Sequence, residues 1–437
     1  MASELAAAAS ASGEAAAPVV TRSQVTAAVV GNWLEFYDFT VYAYFAVQIG
    51  RAFFPSRSPF IELMAALVTY GVGFISRPIG AVVIGRFADR VGRKPAMLLS
   101  FAMMGVALLG LVCVPPYASI GAAAPALVVI CRLVQGFALG GEVGPTTAFL
   151  VEAAPPGQRG LYGAWQSASQ SLASISGGLV GVALAYGFSE AALGAWGWRL
   201  AFLVGALVLP FGLVIRASLP ETRHHEEMRL AAQPERADLA GHARIIVLGL
   251  GLIAGGTIST YVFIFMTTFA QTTLHMGVRI AFWITVVNGI AGFGASLAGG
   301  WLSDRIGRRP LLIWPRLAFL LATMPVFLIV THTKSVALLL CVLGGLNVLA
   351  NLAGVPALVA ITESLRKEVR GTGVATIYAT AVAVFGGTTQ FVVAWLDETM
   401  KTPLAVAWYL MAATCVALVA SVLMRETAEP ASPRARA

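Results

Sequence analysis

The feature that most limits what this chain can become is the recurrence of long apolar stretches. Segments such as Ala96 to Val114, Leu200 to Val214 and Leu404 to Met424 approach or reach the roughly 20 residues that a helix needs to cross about 30 Å of hydrocarbon. Similar runs follow one another along nearly the whole chain. Breaks at charge clusters and Pro/Gly turns predict twelve such spans between residues 24 and 425. Only 11% of the residues are charged, against roughly 25% in soluble domains, so water is not the main solvent. The expected fold is an all-α membrane protein of twelve transmembrane helices.

Charge placement sets the expected orientation. Most of the 29 Lys and Arg fall in alternate loops, and the positive-inside rule then puts both termini in the cytoplasm. The net charge of +8 would suit a nucleic-acid partner only if the bases clustered on a soluble face. They sit in short loops, so the expected surroundings are a lipid bilayer and no nucleic acid. Residues 1 to 22 lack a positive n-region and read as a disordered cytoplasmic tail, not a cleaved signal peptide. Cys113, Cys131, Cys341 and Cys415 lie singly in apolar runs, which predicts buried free thiols and no metal site.

The chain also repeats itself. Gly85-Arg-Phe-Ala-Asp89-Arg90-Val-Gly92-Arg93-Lys94 follows the second span, and Gly300-Trp-Leu-Ser-Asp304-Arg305-Ile-Gly307-Arg308-Arg309 follows the eighth, 215 residues further on. Glu152 with Arg159-Gly160 recurs as Glu363 with Arg370-Gly371, and Glu221-Thr222 recurs as Glu426-Thr427. Landmarks in one order and nearly one register imply a duplicated six-helix unit. The predicted divisions are a first bundle at 23–217, a cytoplasmic central loop at 218–243, a second bundle at 244–425 and a cytoplasmic tail at 426–437. His224 and His225 in the central loop invite a metal reading, but the mixed charge around them reads as a solvated linker.

The duplicated Gly-x-x-x-Asp-Arg-x-Gly-Arg-basic loop resembles the signature of the major facilitator superfamily, and the resemblance runs from Gln24 to Met424. Within it, Gly31-Asn32-Trp33-Leu34-Glu35-Phe36-Tyr37-Asp38-Phe39, Arg77-Pro78-Ile79-Gly80 and the stretch from Arg132 to Glu142 look like the metabolite:proton symporters. Trp165-Gln166-Ser167-Ala168-Ser169-Gln170 is most similar to the citrate and tricarballylate members. Pro145 and Trp314-Pro315-Arg316 depart from that pattern. The resemblance implies two pseudo-symmetric bundles, alternating access and symport of a small organic anion at a bacterial inner membrane. Other metabolites of the branch (2-oxoglutarate, shikimate, proline or betaine) and a non-transporting sensor of the same fold stay open. The expected state is a monomer without an enzymatic site.

Ionisable groups inside a span cost roughly 2.5 to 3.5 kcal/mol at the helix centre on insertion scales, so each needs a partner or a task. Glu35, Asp38, Arg77, Arg132 and Glu142 are the clearest, all in the first half. Asn32, Glu35 and Asp38, three residues apart, are expected on one face of helix 1 that points into a central cavity. Glu35 or Asp38 then takes the coupling proton, while Arg132, with Gln135 beside it and Arg77 nearer the cytoplasm, meets the anion through its planar fork. The alternative is a permanent structural pair between these acids and arginines. Glu142 reads as a gate or packing contact. Gln166, Ser167, Gln170, Thr257, Thr260, Tyr261, Asn347, Asn351 and Tyr378 are the uncharged candidates for the same site. No histidine falls within a span, so coupling rests on carboxylates, with no cofactor and with H+ as the ion, Na+ remaining possible. No phosphate-binding Gly-x-x-x-x-Gly-Lys-Ser/Thr loop occurs, which excludes ATP as the energy source.

In the superfamily the motif acid meets a helix start in the opposite half. That implies Asp89 near Gly371 and Asp304 near Gly160, with Gly85, Gly92 and Gly307 shaping the loops. The bases Arg90, Arg93, Arg305 and Arg308 are expected mostly to anchor the ends in the headgroups.

Overall fold

The computed structural model describes residues 22–91, 93–140, 150–151, 154–155, 157–207, 243–333 and 335–427. The side chains at 22–24, 88, 89, 93, 94, 97 and 367–372 are not described. Glu142, Pro145, Glu152, Gly92 and the central segment 208–242 therefore lie outside the described residues, as do the side chains of Asp89 and Arg93.

The apolar runs become helices in the predicted order. α1 is Arg22–Tyr44, continued after a one-residue break by Ala46–Phe53. α2 is Pro59–Ile75 with Arg77–Val91, α3 Arg93–Cys113, α4 Ala123–Leu139 and α5 Arg159–Gly187. α6 covers 198–207 of the described chain. α7 is Ala243–Thr272, α8 Val278–Ile306, α9 Arg308–His332 and α10 Val336–Ser364. α11 runs from Lys367 to Met400 through a π turn at Val382–Gly386, and α12 is Ala405–Leu423. Eight of these helices are long and apolar enough to span a membrane by themselves.

Local chemistry sets several ends. Pro59 opens α2 in the first turn, where its missing N–H costs nothing. Ser335 accepts from Leu338 N at the start of α10. Gly307 separates α8 from α9 with φ of 96°, a backbone that only glycine adopts without strain.

The two halves meet along glycine seams. α5 and α8 run antiparallel in close contact: Gly178 lies under Val286, Gly289 beside Ile175 and Gly300 against Gly160 and Ala164. Small residues let helix backbones approach where lipid supplies no hydrophobic drive between helices. The Gly-rich stretches at 177–181 and 292–300 are thus packing surfaces. Further contacts close the end of the molecule opposite Asp304. There Gln48 Nε2 donates to Gln271 Oε1 at 3.2 Å and Phe45 packs on Phe282 with ring centroids 4.9 Å apart.

The cysteines need correction. All four are free, but Cys113, Cys341 and Cys415 are exposed on the outer surface and Cys131 is half-buried. A thiol is a small apolar group, and a lipid-facing position satisfies it as well as a core does.

Candidate functional site

Between the halves lies a cavity of about 160 Å³, below the ~300–1,000 Å³ of pockets for drug-sized molecules. Helices α1 and α5 of the first half and α7, α8, α10 and α11 of the second form its walls. The uncharged candidates named above all line it: Gln166, Ser167 and Gln170 on α5, Thr257, Thr260 and Tyr261 on α7, Asn347 and Asn351 on α10, and Tyr378 on α11. No lining residue carries a formal charge.

The amides form an ordered row. Asn347 Nδ2 donates to the Asn288 carbonyl at 2.6 Å, and Asn351 Nδ2 donates to Asn347 Oδ1 at 3.0 Å. Ser296 Oγ donates to Asn351 Oδ1 at 3.2 Å. Both side-chain atoms of Asn288 and Oε1 of Gln166 are buried without a protein partner. A buried amide without partners costs about 1–3 kcal/mol, so these atoms are available to a polar solute. Asn288 is a lining amide that the sequence reading missed. The rule that singled out Asn347 and Asn351, an amide deep in a span, also applies to it.

The α1 face differs from expectation. Phe36, Thr40 and Tyr44 line the cavity, whereas Asn32, Glu35 and Asp38 do not. Three-residue steps fall about 60° short of a full turn at 3.6 residues per turn, so Asn32 and Asp38 diverge by about 120°. Asn32 faces α5, donating to Ser169 Oγ at 2.7 Å and accepting from Gln166 Nε2 at 3.0 Å. Glu35 and Asp38 are buried at 3% and 2% exposure.

The two first-half arginines also divide. Arg132 has no exposed surface and is separated from the cavity by aromatic rings, with its guanidinium 4.6 Å from the Phe39 centroid and 4.4 Å from that of Tyr42. Its Nη1 donates to Gln135 Oε1 at 2.7 Å. Neither Arg132 nor Gln135 reaches the cavity wall, because the α1 aromatics fill the space between. Arg132 Nε and Nη2 lack hydrogen-bond partners, and so do both carboxylate oxygens of Asp38, on which Arg132 acts electrostatically. Arg77 is only partly buried, held between Phe39 and Phe74 at 4.3 and 4.1 Å. Both arginines act electrostatically on Tyr261 in the cavity wall, and Arg77 also on Tyr378.

The second signature loop closes one end. Asp304 accepts from Gly160 N at 2.7 Å and Leu161 N at 2.9 Å, at the start of α5. A carboxylate there meets free N–H groups and the positive end of the helix dipole. Arg308 is not a headgroup anchor: it is 4% exposed and spans Asp304 at 2.7 Å and Glu363 at 3.2 Å. Desolvation makes a buried guanidinium expensive unless carboxylates surround it, and here two do. Glu426 accepts from Arg308 N and Arg309 N at 2.9 Å, while Thr427 Oγ1 donates to Glu363 at 2.8 Å. Arg305 lies exposed over Trp301 and Arg90 is exposed, as anchors would be. A Cβ at Gly85 would meet nothing within 4 Å.

A cavity lined by amides and hydroxyls between two six-helix bundles, with the start of a helix in one half capped by a carboxylate of the other, is the architecture of a multi-pass membrane transporter. The family model of the Major Facilitator Superfamily matches residues 28–388, and the chain belongs to that family. It is 34% identical over 414 residues to a citrate-proton symporter of Salmonella typhi, covering 93% of this chain and 95% of the relative. An alpha-ketoglutarate permease of Escherichia coli is 31% identical, with 92% and 93% covered. A proline/betaine transporter of Salmonella typhimurium is 28% identical, with 93% and 84% covered. In fold it is similar to a crystal structure of D-xylose-proton symporter, with a TM-score of 0.74 at 18% identity over 93% of this chain and 98% of the other.

Proposed function

We propose that this chain is a proton-coupled symporter of the bacterial inner membrane that imports citrate or a related di- or tricarboxylate as a monomer. The cargo reading is supported by the relatives named as citrate-proton symporters and alpha-ketoglutarate permease, matched along nearly their whole length. One observation carries the coupling: the unpartnered oxygens of Asp38 lie within the field of Arg132, whose Nε and Nη2 are also unpartnered. A charged Asp38 would gain by pairing with Arg132 and a protonated one would not, so proton uptake decides whether this pair forms. Glu35 is the second carboxylate of the same helix. The anion meets Arg77, whose field reaches Tyr261 and Tyr378 of the cavity wall, and the amides of α5, α8 and α10 hold its remaining oxygens. Each positive charge moved inward gains about 2.3 kcal/mol per 100 mV.

Positive-inside topology puts the Asp304 network and both termini in the cytoplasm, so cargo release inward requires the Asp304 caps to break. The charge-free lining favours one second reading, a zwitterionic osmolyte such as proline or betaine.

Uptake into proteoliposomes of citrate, tricarballylate, 2-oxoglutarate, shikimate, proline and betaine, under separately imposed proton and sodium gradients, tests the reading. Citrate should accumulate under a proton gradient alone. Betaine uptake with no carboxylate uptake overturns the cargo, accumulation under sodium only overturns the coupling ion, and no uptake of any solute points to a sensor.

A further inference from the structure

Behind the transport cavity, inside the second half, lies a smaller one of about 20 Å³ walled by α7, α9, α10 and α12. Arg316 of α9 lines it and is 5% exposed. The guanidinium donates to the carbonyls of Ala417 at 3.3 Å and Ala353 at 3.4 Å and to Ser421 Oγ. These bonds use three of its five N–H groups. All three acceptors are neutral, and no carboxylate among the described residues acts on the cation. Arg308, two turns earlier on the same helix, is equally buried but meets both Asp304 and Glu363. At Arg308 two carboxylates offset the cost of burying the guanidinium. Arg316 has its positive charge uncompensated in the membrane interior, which is a functional signal.

The small chamber shares a wall with the transport cavity, since Gly256, Ser259 and Ala350 line both. A Cβ at Gly256 would meet nothing within 4 Å, so the partition is thin there. We propose that the Arg316 chamber binds one small anionic group, of chloride or carboxylate size, beside the transport path. About 20 Å³ holds roughly one water-sized group, which excludes a second whole substrate. A monatomic anion from solution and one carboxylate of the cargo are the two sources, and only the second rests on the carboxylate reading above.

The test uses the purified full chain. Tm is measured in potassium chloride against potassium gluconate at equal ionic strength, and citrate Kd by calorimetry in both salts. The variants are Arg316→Gln, Arg316→Lys and Ala353→Val, the last filling the chamber while leaving the transport-cavity lining intact. If solution anion fills the site, chloride raises the wild-type Tm saturably, Arg316→Gln abolishes the shift and Arg316→Lys keeps it. If cargo fills it, chloride has no effect, while Arg316→Gln and Ala353→Val each weaken citrate binding tenfold or more. No chloride shift together with citrate Kd within twofold of wild type in both variants overturns the proposal. Should Arg316→Gln not fold, the wild-type chloride titration and Ala353→Val decide alone. Should wild type bind no citrate, the carboxylate reading fails and the chamber stands or falls on chloride.

Discussion

Asp38 and Arg132 hold unsatisfied hydrogen-bonding atoms within each other's field, so the protonation of one sets the pairing of the other. Asp38→Asn, permanently neutral, should therefore cut proton-driven citrate accumulation at least tenfold while leaving exchange across citrate-loaded vesicles in place. Equal loss of both would assign Asp38 to folding instead. Arg77→Lys keeps the charge but not the two-point fork, and should raise the KM for citrate about tenfold with kcat less affected. The sequence made the cavity amides legible because an amide in lipid has few local partners, and Gln166, Gln170, Asn347 and Asn351 all line the wall. It did not reveal which face of α1 turns inward. That depends on the angular drift of three-residue steps and on where Phe36, Thr40 and Tyr44 pack. Nor could spacing alone separate Arg77 from Arg132, whose difference is made by the aromatic layer of Phe39, Tyr42 and Tyr70.

Among the helices, α5 and α8 form the seam that must slide or part during transport. At Gly300 a Cβ would stand 2.5 Å from both the Gly160 oxygen and Ala164 Cβ, so Gly300→Val has to push the two helices apart. That displaces Gly160 and Leu161 from Asp304. Asp304→Asn attacks the same junction chemically, because two carboxylate oxygens accept there and an amide brings only one acceptor. Both variants should slow uptake several-fold with normal membrane insertion. Both should also speed labelling of a Ser167→Cys reporter in the cavity wall by an impermeant maleimide applied from the cytoplasmic face of a cysteine-free protein. Unchanged labelling would remove the gate role from Asp304. The order of the helices was readable from hydropathy, and the docking of Asp304 on the start of α5 followed from the family motif. The π turn at Val382–Gly386 of α11 was not readable, since it answers to packing of Gly386 against Phe74 and Tyr261.

Across the whole molecule, the duplicated landmarks acquire a common cause. Asp304, Arg308, Glu363, Glu426 and Thr427 are far apart in sequence, yet they share one network: the motif acid caps a helix of the opposite half, while Glu426 caps the start of α9 in its own. In the second half the three landmarks thus belong to one network. A network that ties the halves at one end allows alternating access only if the other end can open, and there Gln48 on α1 faces Gln271 on α7 at 3.2 Å. Binding those two helices together should arrest the cycle with the Asp304 side still free to move. In a protein with Cys113, Cys131, Cys341 and Cys415 replaced by Ser, joining Gln48→Cys to Gln271→Cys with a short reducible thiol linker should abolish citrate uptake, and reductant should restore it. The same linker on either single variant serves as the control. Transport at the unlinked rate through a fully linked pair would mean that α1 and α7 do not separate, and the rocking of the two halves would have to be abandoned for this chain.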